Sequence, residues 1–130
     1  MDKDSKAVCF SIPYPETKRG MLEWNRRYSL NAYWSGKHPR RRAEDARHIH
    51  DLVSLSLKKH HVKRNKFVVP VEVKFYWNDR LDIDNHGALG KMIVDALCGY
   101  LLEDDNPKWF RRVTHEFWDG SEIGVEVRAI

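Results

Sequence analysis

Between Arg41 and Leu97 the apolar residues switch from helical spacing to strand alternation and back, and this switch limits the folds open to the chain. In "RRAEDARHIHDLVSLSLKKH" (Arg41–His60), Ala46, Ile49, Val53 and Leu57 recur at helical intervals with Leu52 beside them, the pattern of an amphipathic helix. "KFVVPVEVKFYW" (66–77) is β-branched and aromatic, hence a strand, with Pro70 calling for an edge position or a bulge. Asn85 can then cap a second helix whose Leu89, Met92, Ile93, Ala96 and Leu97 form one apolar face, with Gly99 as its stop. Ala7–Ile12 reads as a short strand ended by Pro13 and Pro15. "RRVTHEFWDGSEIGVEVRAI" reads as two alternating runs joined by Asp119-Gly120, a hairpin signal. Residues 16–37, with Gly20, Gly36 and several aromatics, read as irregular. The order β-α-β-α-β-β predicts one small α+β domain over 1–130, with two main helices and a mainly antiparallel or mixed sheet.

Its 130 residues are enough to bury one core. No apolar run approaches the roughly 18 residues of a membrane span. The start, Met1-Asp2-Lys3-Asp4, lacks the layout of a secretion leader. Cys9 and Cys98 are too few for a disulfide framework and lack metal-site spacing, so they read as reduced thiols of a cytoplasmic protein. The charges divide unevenly: residues 1–70 hold 16 Lys/Arg against 7 Asp/Glu, and residues 71–130 hold 7 against 12. A basic half and an acidic half suggest a polyanion gripped by one and a cation held by the other, unless both are solvated faces.

"RLDIDNHGALGKMIVDALCGYLLEDD" (Arg80–Asp105) concentrates the acidic charge. If the chain stays extended after the strand, Asp82 and Asp84 point to one side, roughly 6–7 Å apart. Asp104 and Asp105 follow the second helix, where the chain can fold back to bring one of them to the same place. Oxygen-only ligands favour Mg²⁺, Mn²⁺ or Ca²⁺ over zinc, and the Gly and Glu spacing of an EF-hand is absent. A metal so held suits phosphodiester hydrolysis, by activating a water and offsetting developing charge. Lys91 can add a positive charge near the phosphate, or simply pair with Asp95 one turn later.

"DIDN", then "KMIVDAL", then "GYLLEDD" resembles the RusA-type Holliday junction resolvases, phage-associated endonucleases that cut four-way DNA junctions. "SLNAYWSGKHPRRRAEDARHIH" (Ser29–His50) is similar to that family's Asn- and Tyr-bearing basic entry into the first helix. The resemblance runs from the first strand through the second helix; the last two strands match only in kind. It implies that Asp82, Asp84 and Asp105 are the metal-binding catalytic aspartates, that Lys91 is the catalytic lysine, and that Asp104 shares or replaces the role of Asp105. It also implies Mg²⁺ (or Mn²⁺) as cofactor, branched DNA as partner, and a homodimer. One departure is the interval from Asn85 to Lys91, six steps here against three in the best-known pattern, a difference of nearly one helical turn.

Lys37, Arg40, Arg41 and Arg42 at the head of the first helix read as phosphate contacts, and Lys58, Lys59, Lys63, Arg64 and Lys66 form a second basic cluster. Tyr33 and Trp34 suit core packing, or stacking on an unpaired base. His86 reads as a cap or a surface residue before a ligand or base, and His48 and His50 as surface residues. Two rival functions stay open: a non-catalytic DNA-binding protein with a structural acidic cluster, and a metal-dependent nuclease acting on flaps, forks or RNA.

Overall fold

A computed structural model describes Lys6–Ile130; Met1–Ser5, including the start compared above with a secretion leader, lie outside the described residues. In chain order the elements are β1 (Ala7–Pro13), α1 (Lys18–Tyr28), α2 (Leu30–Trp34), α3 (Pro39–Lys59), β2 (Val71–Trp77), a 3-10 turn (Ile83–His86), α4 (Gly87–Leu97), β3 (Phe110–Phe117) and β4 (Glu122–Ala129). The α+β class stands, and α3 and α4 are the two expected helices. The stretch expected to be irregular instead holds α1 and α2. Thr17 caps α1 by accepting the Gly20 N–H at 2.9 Å, and Trp24 and Tyr28, one turn apart, bury its inner face. The segment is polar on average and carries few apolar residues, yet two large aromatic side chains on one face suffice to dock it.

The sheet is mixed, ordered β1-β4-β2-β3. β4 is antiparallel to β1 and to β2, whereas β3 runs parallel to β2. The expected β3–β4 hairpin is therefore absent. A two-residue hairpin on Asp-Gly requires positive φ at its centre, and neither Asp119 nor Gly120 has it. Residues 118–121 instead step across the end of β2, about 10 Å. The Trp118 N–H donates to the Trp77 carbonyl (3.1 Å), and Asn78 Nδ2 donates to the Gly120 carbonyl (2.6 Å). Gly120 serves by its missing side chain, since a Cβ there would stand 2.4 Å from the Trp118 ring. Pro70 precedes β2, which is an internal strand; of the two roles expected for the proline, the bulge is present as a register shift at Val71/Glu72.

One core joins the sheet to α3 and α4. Val71, Val73, Phe75 and Trp77 alternate inward on β2, as do Ile123, Val125, Val127 and Ala129 on β4, and they meet Ile49, Val53 and Leu57 of α3 with Leu89, Ile93 and Leu97 of α4. Each fully buried Leu, Ile or Phe contributes roughly 1.5–3 kcal/mol. The intervening side chains pair across the polar face, as Lys74 does with Glu116 (3.1 Å). Gly90 brings α4 close to the sheet, because a Cβ there would lie 3.3 Å from both Phe75 and His115. Gly99, at φ +85°, ends α4 as expected. Among the described residues no helix is long and apolar enough to cross a membrane, and Cys9 and Cys98 are free.

Candidate functional site

Gly87, Lys91 and Asp95 follow one another at one-turn spacing along α4 and line a cavity of about 300 Å³ with Phe75, Val94, Asp105, Phe110, Val113 and His115. Lys91 Nζ lies 3.4 Å from Asp95 and 3.9 Å from Asp105 Oδ2. The local ion pair and the long-range approach to Asp105 thus coexist. Lys91 is well exposed, so these pairs contribute at most about 1 kcal/mol each. Asp104 turns away: its carboxylate accepts the Asp105 N–H (2.8 Å) and Asn106 Nδ2 (3.0 Å). Of the two adjacent aspartates it is Asp105 that faces the cavity. The Cys98 thiol registers this concentration of charge, being pushed up to about 11 by burial first and then by Asp105, Asp95 and Asp104.

Asp82 and Asp84 stand at the N-terminal end of the same helix, both exposed. Their expected alignment along an extended chain is not found. Asp82 is extended, but Ile83–His86 winds into the 3-10 turn, in which residues two apart face different directions. Nor do Asp82, Asp84 and Asp105 converge: among the described residues no group of three or more Asp, Glu, His or Cys side chains is placed to hold a metal ion. The two exposed carboxylates of the turn do suit Mg²⁺ in chemistry, since that ion commonly takes one or two carboxylates and keeps several waters.

The turn is held from beneath by His86, which occupies the N-cap position of α4 without a side-chain capping bond and is buried rather than a surface residue. The side chains of His86 and Asp79 are wholly buried. Nε2 lies 2.9 Å from each Asp79 oxygen, Nδ1 lies 3.0 Å from the Ile83 carbonyl, and the ring stacks on Trp77 with centroids 4.3 Å apart. Both ring nitrogens thus lie within hydrogen-bonding distance of an oxygen acceptor. Asp79 also accepts from the Leu81 N–H (3.0 Å) and the Tyr14 hydroxyl (3.2 Å). Asn85 does not cap α4. Its Oδ1 accepts the Asn31 N–H at 3.1 Å, tying the turn to the first residues of α2.

His115 enters the cavity from β3, where its Nδ1 accepts the Trp77 Nε1–H at 3.0 Å. Burial, and then the nearby His86, lowers its affinity for a proton. Neither Asp79 nor His115 stands out in sequence. His115 meets Trp77 only through the pairing of β3 with β2, and Asp79 meets His86 and Tyr14 only once the 3-10 turn and the end of β1 pack around it.

The basic candidates divide. Lys37 is not a free phosphate contact: Nζ donates to Asp45 (2.6 Å) and to the Arg27 carbonyl (2.5 Å), and its side chain is 13% exposed. The buried Asp45 also accepts from Arg27 Nε at 2.5 Å, so it staples α1, the loop before α3, and α3 itself. Arg40 and Arg41 are exposed. Arg42 lies over the Tyr33 ring, 4.6 Å from its centroid. In the second cluster, Arg64 bonds the Gly99 carbonyl (2.8 Å) and Lys66 pairs with Glu103 (3.0 Å), while Lys58, Lys59 and Lys63 are exposed. Trp34 is 75% exposed, so it is not the core residue its type suggested. Compared with known proteins, the chain matches no family model and no curated protein.

Proposed function

We propose that this protein is a Mg²⁺-dependent, structure-selective DNA endonuclease of the RusA type, which resolves four-way junctions by phosphodiester hydrolysis and works as a cytoplasmic homodimer. The observation that carries the reading is the approach of Lys91 to Asp105, 3.9 Å apart although 14 residues separate them. They meet on the stripe of α4 that begins beside Asp82 and Asp84. Those two carboxylates would supply the protein ligands of the divalent ion, which keeps several waters. When bound, the ion supplies an acidified water and offsets charge on the phosphorus. Lys91 places a positive charge where a phosphate oxygen would sit. Arg40 and Arg41 grip the DNA backbone irrespective of sequence. Two copies related by a two-fold axis would present two sites to two opposed strands.

The separation of Asp82 and Asp84 from a common centre with Asp105 favours the rival reading, a nucleic-acid-binding protein without catalysis. Incubation with a labelled four-way junction, with and without Mg²⁺, decides between them. Paired nicks that need Mg²⁺ and vanish in Asp82→Asn support the nuclease. Tight binding without nicks supports the rival, and nicks confined to flaps, forks or RNA reassign the substrate.

A further inference from the structure

We infer that the groove between α2, α3 and α4, walled by Trp34, Tyr33 and Arg42, is a stacking site for a single unpaired nucleobase beside the candidate active site. The inference rests on the nucleic-acid part of the proposed function and is independent of catalysis.

The groove holds about 270 Å³ and shares Gly87, Lys91 and Asp95 with the cavity containing Asp105. Lys91 therefore stands between two compartments, one containing Asp105 and the other Tyr33 and Trp34. The aromatic side is unusual for so small a fold: α2 buries none of its five residues, and Trp34 leaves 75% of its surface in water. An indole so exposed presents a flat apolar face on which a planar partner can stack. The wall is nonetheless well held. Tyr33 meets Trp34 edge-on at 6.2 Å, and the Arg42 guanidinium lies over Tyr33 while Nη2 bonds the Tyr33 carbonyl at 3.5 Å. Ser29 caps α2, and Asn85 anchors it to the turn bearing Asp82 and Asp84. The base platform and that turn are thus joined by a hydrogen bond.

Charge identifies the occupant. The first turn of α3 carries Arg40, Arg41 and Arg42 and no acidic residue, and Lys91 also lines the groove, paired there with the groove's acidic residue, Asp95. A planar ring flanked by phosphates matches an aromatic wall flanked by cations. Bases inside a duplex already have stacking partners on both faces, so only an unpaired base gains by entering. The groove would thereby select branched or looped nucleic acid and bring the adjoining phosphodiester toward Lys91.

The test uses the full chain without divalent cation, so that binding is read apart from cleavage. The probes are a DNA hairpin with 2-aminopurine in its loop and a fully paired duplex of equal length. We expect wild type to quench the 2-aminopurine on binding. Trp34→Ala should bind the hairpin about tenfold more weakly, without quenching and with duplex affinity unchanged, and Trp34→Phe should restore most of the loss. Equal hairpin binding and quenching by wild type and Trp34→Ala would overturn the inference, as would equal weakening on both probes or a Trp34→Phe no better than Trp34→Ala. Failure of wild type to bind either DNA would remove the nucleic-acid reading and the groove's role with it. A normal Trp34 effect with no Mg²⁺-dependent nicking of a junction would sustain the groove and remove only the nuclease.

Discussion

Asp79 presents both carboxylate oxygens to the buried His86 ring at 2.9 Å, and the pair joins the exit of β2 to the head of α4. The same carboxylate holds Tyr14 just beyond β1, so three segments meet at one charge. Taking either partner away strands a buried polar group, which typically costs about 3–5 kcal/mol. Asp79→Asn and His86→Ala should each lower stability by about that much, and the double variant by clearly less than the sum. Urea unfolding at neutral pH measures all three. Additive losses, or single losses below about 1 kcal/mol, would show that the pair is not coupled.

Lys37 and Arg41 stand four residues apart in the basic stretch but should respond in opposite ways. Lys37→Ala removes one of the two cations on the buried Asp45 and should lower stability by about 1–3 kcal/mol with little change in the salt dependence of DNA binding. The exposed pair Arg40→Ala/Arg41→Ala should leave stability within about 0.5 kcal/mol. It should also make the slope of log K against log salt shallower by about 0.9 for each phosphate that is no longer neutralised. Thermal melting and a salt titration of binding read both variants; an unchanged slope for the arginine pair returns those residues to a solvated face.

His115 makes stability sensitive to mild acid. Its folded proton affinity lies below the ordinary value of 6.5 because it is buried and near His86. The unfolded chain therefore takes up the proton first. The contribution is present above about pH 6.5 and is lost as the pH falls toward the folded value. Protonation would also set an N–H against the Trp77 Nε1–H that Nδ1 now accepts. The exposed His48 is shifted the same way, by burial and then Arg27, and adds to the slope. His115→Gln should flatten the fall in urea midpoint between about pH 6.5 and 5 without abolishing it. A profile superimposable on wild type would count against this account.

Asp82 and Asp84 are exposed and do not crowd Asp105, so Asp82→Asn/Asp84→Asn should melt within about 0.5 kcal/mol of wild type in the absence of divalent ions. Adding Mg²⁺ or Mn²⁺ should separate them. An ion that binds only the folded protein stabilises by about 2.7 kcal/mol at a hundredfold excess over its dissociation constant, a midpoint rise of several degrees. Wild type should show it, the double variant should not, and Na⁺ at matched ionic strength should give neither protein the shift. Equal shifts in both proteins would place the ion elsewhere.

The elements that could be read directly from residue order were those whose pattern is local. Ile49, Val53 and Leu57 repeat at helical intervals and became the inner face of α3. Val71, Val73, Phe75 and Trp77 alternate and became the buried side of β2. α1 escaped because its docking rests on Trp24 and Tyr28 in an otherwise polar segment rich in aromatics and bounded by Pro15 and Gly36, a composition that reads as loop although its few apolar residues share one face. Partner choice was the other gap. Asp119-Gly120 has the composition of a tight hairpin, but β4 gains hydrogen-bonded neighbours on both sides by passing over β2. For the site, the aspartates and Lys91 were legible as a motif, and the distance between Lys91 and Asp105 was not. His115, Asp79 and Asp45 were invisible for the same reason: their roles depend on Trp77, His86 and the Arg27–Lys37 pair, 7 to 38 residues away in the chain. Spacing along a chain dictates which side chains share a face; which faces meet is decided by burial and hydrogen bonding between segments, and that is a property only of the packed molecule.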